Sequence, residues 1–248
     1  MVVSSDIIMK EKESSLGAGM TSLRTRQRLV ERLTEKGIKD IRVLEAMRDT
    51  PRHLFLDEAL ATRAYEDLAL PIGYRQTISQ PYVVARMTEI LIEEKKLERQ
   101  PIDKALEIGT GCGYQAAILA KFSKSVDSLE RIKALHNKAR TNLNNLKIRN
   151  IRLIFGDGSQ PEEINKKYDA ILLAAAPLEI PRYLIDKLSI GGKLIAPIGD
   201  KTRQKLTVIK RHGKKDYQTN ELDEVLFVPL LKGLIAVSYT HLTLPTKA

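Results

Sequence analysis

Apolar residues recur at helical spacing through the first third of the chain and then gather in short runs separated by helical stretches. Over 21–37, Leu23, Leu29, Val30 and Leu33 share one side of a 3.6-residue period among arginines and glutamates, and Gly37 closes an expected amphipathic helix. Asp40 is placed to cap a second helix over 41–48, whose Val43, Leu44 and Met47 share a face before Pro51 ends it. A third, short helix is expected over 55–65. Residues 68–80 follow neither period and carry Pro71 and Gly73, which predicts an ordered loop or short strand. Pro81 then opens a helix to about Glu98.

From Lys104 the pattern alternates short apolar runs with helical segments, as in a parallel sheet with crossover helices. Parallel strands are expected over 105–108, 126–129, 151–155, 170–174 and 193–198. Runs over 205–210 and 225–229, joined by a polar link with one glycine, predict an antiparallel hairpin at one edge. The class is α/β, a doubly wound, mostly parallel seven-stranded sheet behind an N-terminal helical segment. One domain over 21–235 is expected, with a helical part (21–100) and a core (101–235). Residues 1–20 read as a flexible extension, and 236–248 break with the preceding lysine-rich style and read as a non-native tail.

Charge changes the picture only briefly. The chain has 248 residues, with 41 Lys and Arg against 31 Asp and Glu, a formal net charge of +10 at pH 7. That balance invites a nucleic-acid partner. Aromatics at 5% and no Trp argue against base-stacking platforms, so no nucleic acid is expected and the charge reads as solvated surface. The one cysteine, Cys112, forms no internal disulfide or multi-cysteine zinc site, and His53, His136, His212 and His241 are scattered. No metal is therefore expected. No apolar run nears the ~20 residues that span a bilayer, and a cytoplasmic monomer away from membranes is the resulting expectation.

The densest chemistry lies in A-L-E-I-G-T-G-C-G-Y-Q, where Gly109, Gly111 and Gly113 separate a strand from a helix beginning near Tyr114. A strand turning directly into a helix needs positive φ, and glycines let a ligand approach backbone N–H groups. Glu130 ends the next strand, where an acid can accept from both hydroxyls of a ribose. Asp157 and Gly158 close the third strand, where a carboxylate can accept from an adenine amino group. The spacing G-x-G-x-G, with Glu107 before it, differs from the dinucleotide fingerprint G-x-G-x-x-G. A carboxylate at Glu107 suits a cationic cofactor better than a diphosphate. S-adenosylmethionine meets these conditions best. Cys112 reads as a small residue that fits the loop rather than as a nucleophile.

Around that loop stand Y-E-D-L-A-L-P-I-G-Y-R-Q-T-I-S-Q-P (65–81), G-D-G (156–158), A-A-A-P (174–177) and F-V-P-L (227–230), with P-R-H-L-F (51–55) and G-G-K-L-I-A-P-I-G (191–199). With these motifs the chain resembles the protein-L-isoaspartate O-methyltransferases over about residues 22–234, and Q-T-I-S-Q-P is the specific element. The resemblance implies a Rossmann-like methyltransferase fold. It also implies methyl transfer to the α-carboxylate of L-isoaspartyl residues in damaged proteins and peptides, repairing them. By similarity, Thr77 and Ile78 meet the cofactor and Ser79 is the catalytic position. Ala175, Ala176 and Pro177 with Val228, Pro229 and Leu230 wall the substrate side. Ser79 could also cap the helix opened by Pro81.

One departure stands out: Arg75 occupies a position where that family usually has Gly, so positive φ there would strain it by ~1 kcal/mol or more. Three rival readings follow. They are a nucleic-acid-binding or nucleic-acid-modifying protein, for which no N-P-P-Y-like tetrad is present, a nicotinamide oxidoreductase disfavoured by the glycine spacing, and an inactive adenosyl-binding module.

Overall fold

Ser22 opens helix α1 (Leu23–Glu35), its hydroxyl accepting the Thr25 N–H at 3.4 Å. Asp40 opens α2 (Ile41–Asp49) the same way, accepting the Arg42 N–H at 2.9 Å. In the computed structural model, which describes residues 19–93, 102–159 and 164–236, the inward positions Leu29, Leu33, Val43 and Met47 are fully buried. The third expected helix is absent: residues 52–63 form two 3-10 turns, Arg52–Phe55 and Glu58–Arg63. The second turn buries no residue, and without a buried face a short helix has little to stabilise it.

The stretch expected as loop or short strand holds both. Strands β1 (Leu70–Gly73) and β2 (Gln76–Ile78) pair antiparallel, with Leu70 opposite Ile78 and Pro71 opposite Thr77. Helix α3 (Pro81–Ile92) starts on its proline and is buried on nearly every face. Residues 94–98 of the expected longer helix lie outside the described residues, as do 1–18 and 237–248.

The main sheet comprises β3 (Ile102–Ile108), β4 (Ser123–Glu130), β5 (Ile151–Phe155), β6 (Tyr168–Leu173), β7 (Leu188–Gly199), β8 (Gln204–Arg211) and β9 (Tyr217–Val225), in the order β5-β4-β3-β6-β7-β8-β9. Pairs from β5 to β7 are parallel, and β8 runs antiparallel to both β7 and β9. Helices α4 (Tyr114–Ala120), α5 (Lys133–Asn145) and α6 (Arg182–Lys187) connect the strands. The period-2 alternation along β3 sends Ala105 into one apolar layer and Leu106 and Ile108 into the other.

The last strand corrects the expected 225–229. It is the polar stretch Tyr217–Val225, mostly exposed, at the sheet edge, where neither face demands an apolar alternation. The expected apolar run instead passes beside the end of β6, where the Ala176 N–H donates to Val228 O and the Leu230 N–H to Ala176 O, both at 2.8 Å. The fold continues through Ile235, whose N–H donates to Arg131 O at 2.9 Å.

Candidate active site

A cleft opens at the carboxyl ends of the central strands, beside β3, where the strand order reverses. Its floor is the loop after β3. Gly109, Gly111 and Gly113 take φ values of 95°, 56° and 91°, a region that disfavours side-chain-bearing residues. At Gly111 space matters too: a β-carbon would stand 3.2 Å from Ile72 Cδ1 on β1, so its absence lets the β1–β2 arm close onto the loop.

Glu130 ends β4 with both oxygens engaged. Oε2 accepts the Gly111 N–H at 2.8 Å and Oε1 accepts the Ile132 N–H at 2.9 Å, leaving each oxygen a lone pair for a diol. Burial pushes its carboxyl above the ordinary value, against the pull of these N–H groups. Glu107, beneath the loop, is fully buried: Oε2 accepts the Ser128 hydroxyl and Oε1 has no partner. Ser128 Oγ lies 2.5 Å from Thr110 Oγ1 on the cleft wall.

Asp157 is held by the chain around it. Its Oδ1 accepts the Ser159 N–H at 2.7 Å and its Oδ2 the Gly233 N–H at 2.5 Å. Burial raises its carboxyl, but the Gly233 and Ser159 donors outweigh that and leave it below the usual value. The Arg131 guanidinium donates to Gly233 O at 2.8 Å and Lys232 O at 3.3 Å. The segment after β9 is thereby tied across the ends of β6, β5 and β4.

Thr77 and Ser79 line the cleft from the β2 arm, and neither hydroxyl has a hydrogen-bond partner among the described residues. The capping role open to Ser79 is not used: Gln80 holds that position at the start of α3. A second groove, lined by Tyr82, Val83, Leu226 and Phe227, meets the cleft at Thr77, Ser79, Ala174 and Val228. Asp67 fixes the far end of the arm, accepting the Tyr82 N–H at 2.8 Å and Gln80 Nε2 at 3.1 Å.

Of the residues expected for the cofactor, Thr77, Ile78, Gly109, Gly111, Glu130 and Gly158 line the cleft. Of those expected for the substrate, Ala175, Val228, Pro229 and Leu230 do so. Five are not among its lining residues. Glu107 lies beneath the loop, Gly113 starts α4, Asp157 holds Gly233, Ala176 pairs with Val228 and Leu230, and Pro177 O accepts the Gly199 N–H at 3.1 Å. Thr110, Gln115, Ile132 and Leu231 are among the other lining residues, and none of the four was singled out from the sequence. Cys112 is buried, and burial pushes its thiol up to about 11, so it stays protonated at neutral pH. His53 bonds to the Tyr65 hydroxyl and His212 to Gln218. Among the described residues no group of three His, Cys, Asp or Glu could hold a metal ion.

The tip of the arm has the positive φ on which strain at Arg75 depends. Tyr74 and Arg75 sit at φ 54° and 57° between Gly73 and Gln76, the double left-handed turn that hairpins reserve for Asn and Gly. Arg75→Gly should stabilise the protein by about 0.5–1 kcal/mol, the relieved strain being offset partly by chain entropy. A higher urea midpoint at unchanged slope is the expected reading, and a lower midpoint would refute the strain.

Residues 24–234 match the model of the family described as protein-L-isoaspartate(D-aspartate) O-methyltransferase. The chain is 50% identical over 218 residues to the protein-L-isoaspartate O-methyltransferase of Burkholderia lata, covering 87% of this chain and 69% of that one. It is 49% identical over 217 residues to that of Burkholderia pseudomallei, covering 87% and 66%. A crystal structure from Plasmodium falciparum, described as a protein-L-isoaspartate O-methyltransferase in complex with S-adenosyl-L-homocysteine, aligns with TM-score 0.72 at 31% identity, over 84% of this chain and 99% of that one. A second solved protein-L-isoaspartate O-methyltransferase aligns with TM-score 0.73 at 27% identity, over 85% and 67%. With its glycine loop, its acid at the end of β4 and its hydroxyl-bearing arm on one cleft, the chain belongs to the protein-L-isoaspartate(D-aspartate) O-methyltransferase family.

Proposed function

We propose that the chain binds S-adenosylmethionine in the cleft over the glycine loop and methylates the α-carboxylate of L-isoaspartyl residues presented through the adjoining groove. The observation that carries this reading is the junction at Ser79. Its unpartnered hydroxyl, with that of Thr77, stands where the acid-lined cleft and the groove of Tyr82 and Phe227 meet.

The residues present fit an adenosyl cation. Glu130 offers two carboxylate oxygens to a ribose, and Ile108, Leu129, Ile132 and Leu231 give apolar walls for a base. The one cation among the described lining residues, Arg131, has two of its donors on carbonyls, and the carboxylate of Glu130 at the same cleft repels a diphosphate. When bound, the cofactor supplies a methyl carbon made electrophilic by its sulfonium.

The chain's own task is positioning. An α-carboxylate is ionised at neutral pH, so it needs no general base, and the protein has only to hold its oxygen in line and exclude water. Ser79 donates to that carboxylate. Thr77 and Ile78 hold the arm against the cofactor, and Asp157 keeps the segment of Val228–Leu230 in place through Gly233. Main-chain groups of Ala175–Pro177 and Val228–Leu230 hold the peptide with little demand on its side chains. We read the chain as a monomer, and the single buried thiol suits the cytoplasm. No helix among the described residues is long and apolar enough to cross a membrane.

The test pairs two synthetic peptides that differ only in an L-isoaspartyl or a normal aspartyl residue, with methyl-labelled S-adenosylmethionine. Base-labile label should enter the isoaspartyl peptide alone. Ser79→Ala should lower turnover about 10- to 100-fold with the melting curve unchanged. Equal labelling of both peptides would overturn the substrate, and an unaffected Ser79→Ala would overturn the role of its hydroxyl.

A further inference from the structure

Glu107, fully buried beneath the loop that floors the cleft, has an unsatisfied oxygen. The register sets Ser128 beside it on β4 and Leu172 beside it on β6, so neither of its paired neighbours carries a positive charge. Its Oε1 is buried without a partner, although buried polar atoms are nearly always bonded. Burial, opposed by the Ser128 hydroxyl and reinforced by the like charge of Glu130, pushes its carboxyl up to about 8. At neutral pH it therefore keeps its proton while no cation is beside it. From its other oxygen a chain of hydroxyls runs outward through Ser128 to Thr110, which lines the cleft. That chain has a direction when Glu107 is ionised: Ser128 donates to the carboxylate and Thr110 donates to Ser128.

We infer that Glu107, linked to the cleft wall through Ser128 and Thr110, is a charge-matching residue: neutral in the empty cleft, it releases its proton to solvent when a ligand carrying sulfonium and ammonium charges binds. The inference rests on the cofactor reading above. The carboxyl O–H bond breaks, its electron pair stays on the oxygen, and the proton passes to buffer, with nothing oxidised or reduced. A bound cation then meets an anion that the apo protein does not have to stabilise. A ligand bearing the adenosyl group without those charges draws out no proton, and the demethylated product, one positive charge poorer, draws out less. Glu107 thus sets the preference for charged cofactor over spent product, and Ser128 and Thr110 act through it as positioning residues.

The test counts protons by calorimetric titration near pH 6.5 in phosphate and in imidazole, two buffers with different heats of protonation. S-adenosylmethionine is one probe and 5′-methylthioadenosine, which has the adenosyl group and neither cation, is the other. The wild-type protein should release close to one proton with the first and none with the second. Affinity for S-adenosylmethionine should rise close to tenfold per pH unit below the value of about 8, while that for methylthioadenosine stays flat. Glu107→Gln should abolish the release and flatten the profile. Ser128→Ala, which keeps the acid but removes its donor, should shift the profile to higher pH. Equal proton release with both ligands in the wild type, or release that survives Glu107→Gln, overturns the inference while leaving the cofactor site standing. Binding of neither ligand overturns the cofactor reading itself, and the inference with it.

Discussion

Replacing Glu130 with alanine should weaken cofactor binding by about 100- to 20,000-fold and destabilise the fold as well. The first effect follows from two charge-assisted hydrogen bonds to a ribose diol, each contributing about 1.5–3 kcal/mol, with every 1.4 kcal/mol a factor of ten. The second follows from the fold itself, where the same two oxygens accept the Gly111 and Ile132 N–H groups at 2.8 and 2.9 Å. Alanine leaves both donors without an acceptor, at about 1–3 kcal/mol each where water does not reach them. Loop geometry and ligand contact therefore fail together. Glu130→Gln separates them, because one amide oxygen can still take one of the two N–H groups, and its melting temperature should fall between wild type and Glu130→Ala. Equilibrium dialysis with labelled S-adenosylmethionine, alongside thermal melts, checks both halves. A dissociation constant within threefold of wild type would remove Glu130 from the cofactor site.

What the sequence made legible was whatever a local backbone demand forces on residue type. The three loop glycines all have the positive φ that their spacing between strand and helix predicts, and Glu130 ends its strand where an acid can turn back on that loop. Long-range relations were not legible. Ser128 and Thr110 are unremarkable residues in a strand and a loop, and only the pairing of β3 with β4 brings them onto Glu107. Asp157 reads as an adenine acceptor from its place after β5, but the Gly233 N–H that its carboxylate also accepts, 76 positions away, could not be read there. The edge strand β9 was misplaced because a strand solvated on both faces carries no apolar rhythm, while the apolar residues after it belong to a segment that packs on Ala176. Arg75 was the informative exception, since the residue that stands where that family usually has Gly takes a φ of 57°.

Gly158 makes the contrast between two reasons for glycine testable. It lines the cleft with Gly109 and Gly111, but it takes no positive φ, so backbone freedom does not require it. Space does: a β-carbon there would fall inside contact distance of Ile108 Cγ2, with Ile108 Cβ and Cδ1 at 3.6 Å. Ile108 is 2% exposed in the layer of Leu129, Ile171 and Leu184, and its β-branched χ1 is stiff, so it has no low-energy way to yield. The carbonyl of Gly158 also accepts the Tyr183 hydroxyl, which ties the residue to α6. Gly158→Ala should therefore cost about 3 kcal/mol, a fall in Tm on the order of 10 °C, and should push the strand end into the cleft and weaken cofactor binding. Ile108→Ala alone should cost about 2–5 kcal/mol by leaving a cavity. Because the new methyl fills part of that cavity, the double variant should be more stable than the two losses predict, by about 2 kcal/mol in a double-mutant cycle. Strictly additive losses would mean that the two side chains never compete for the same space, and the requirement for glycine would then have to lie in the ligand rather than in the core.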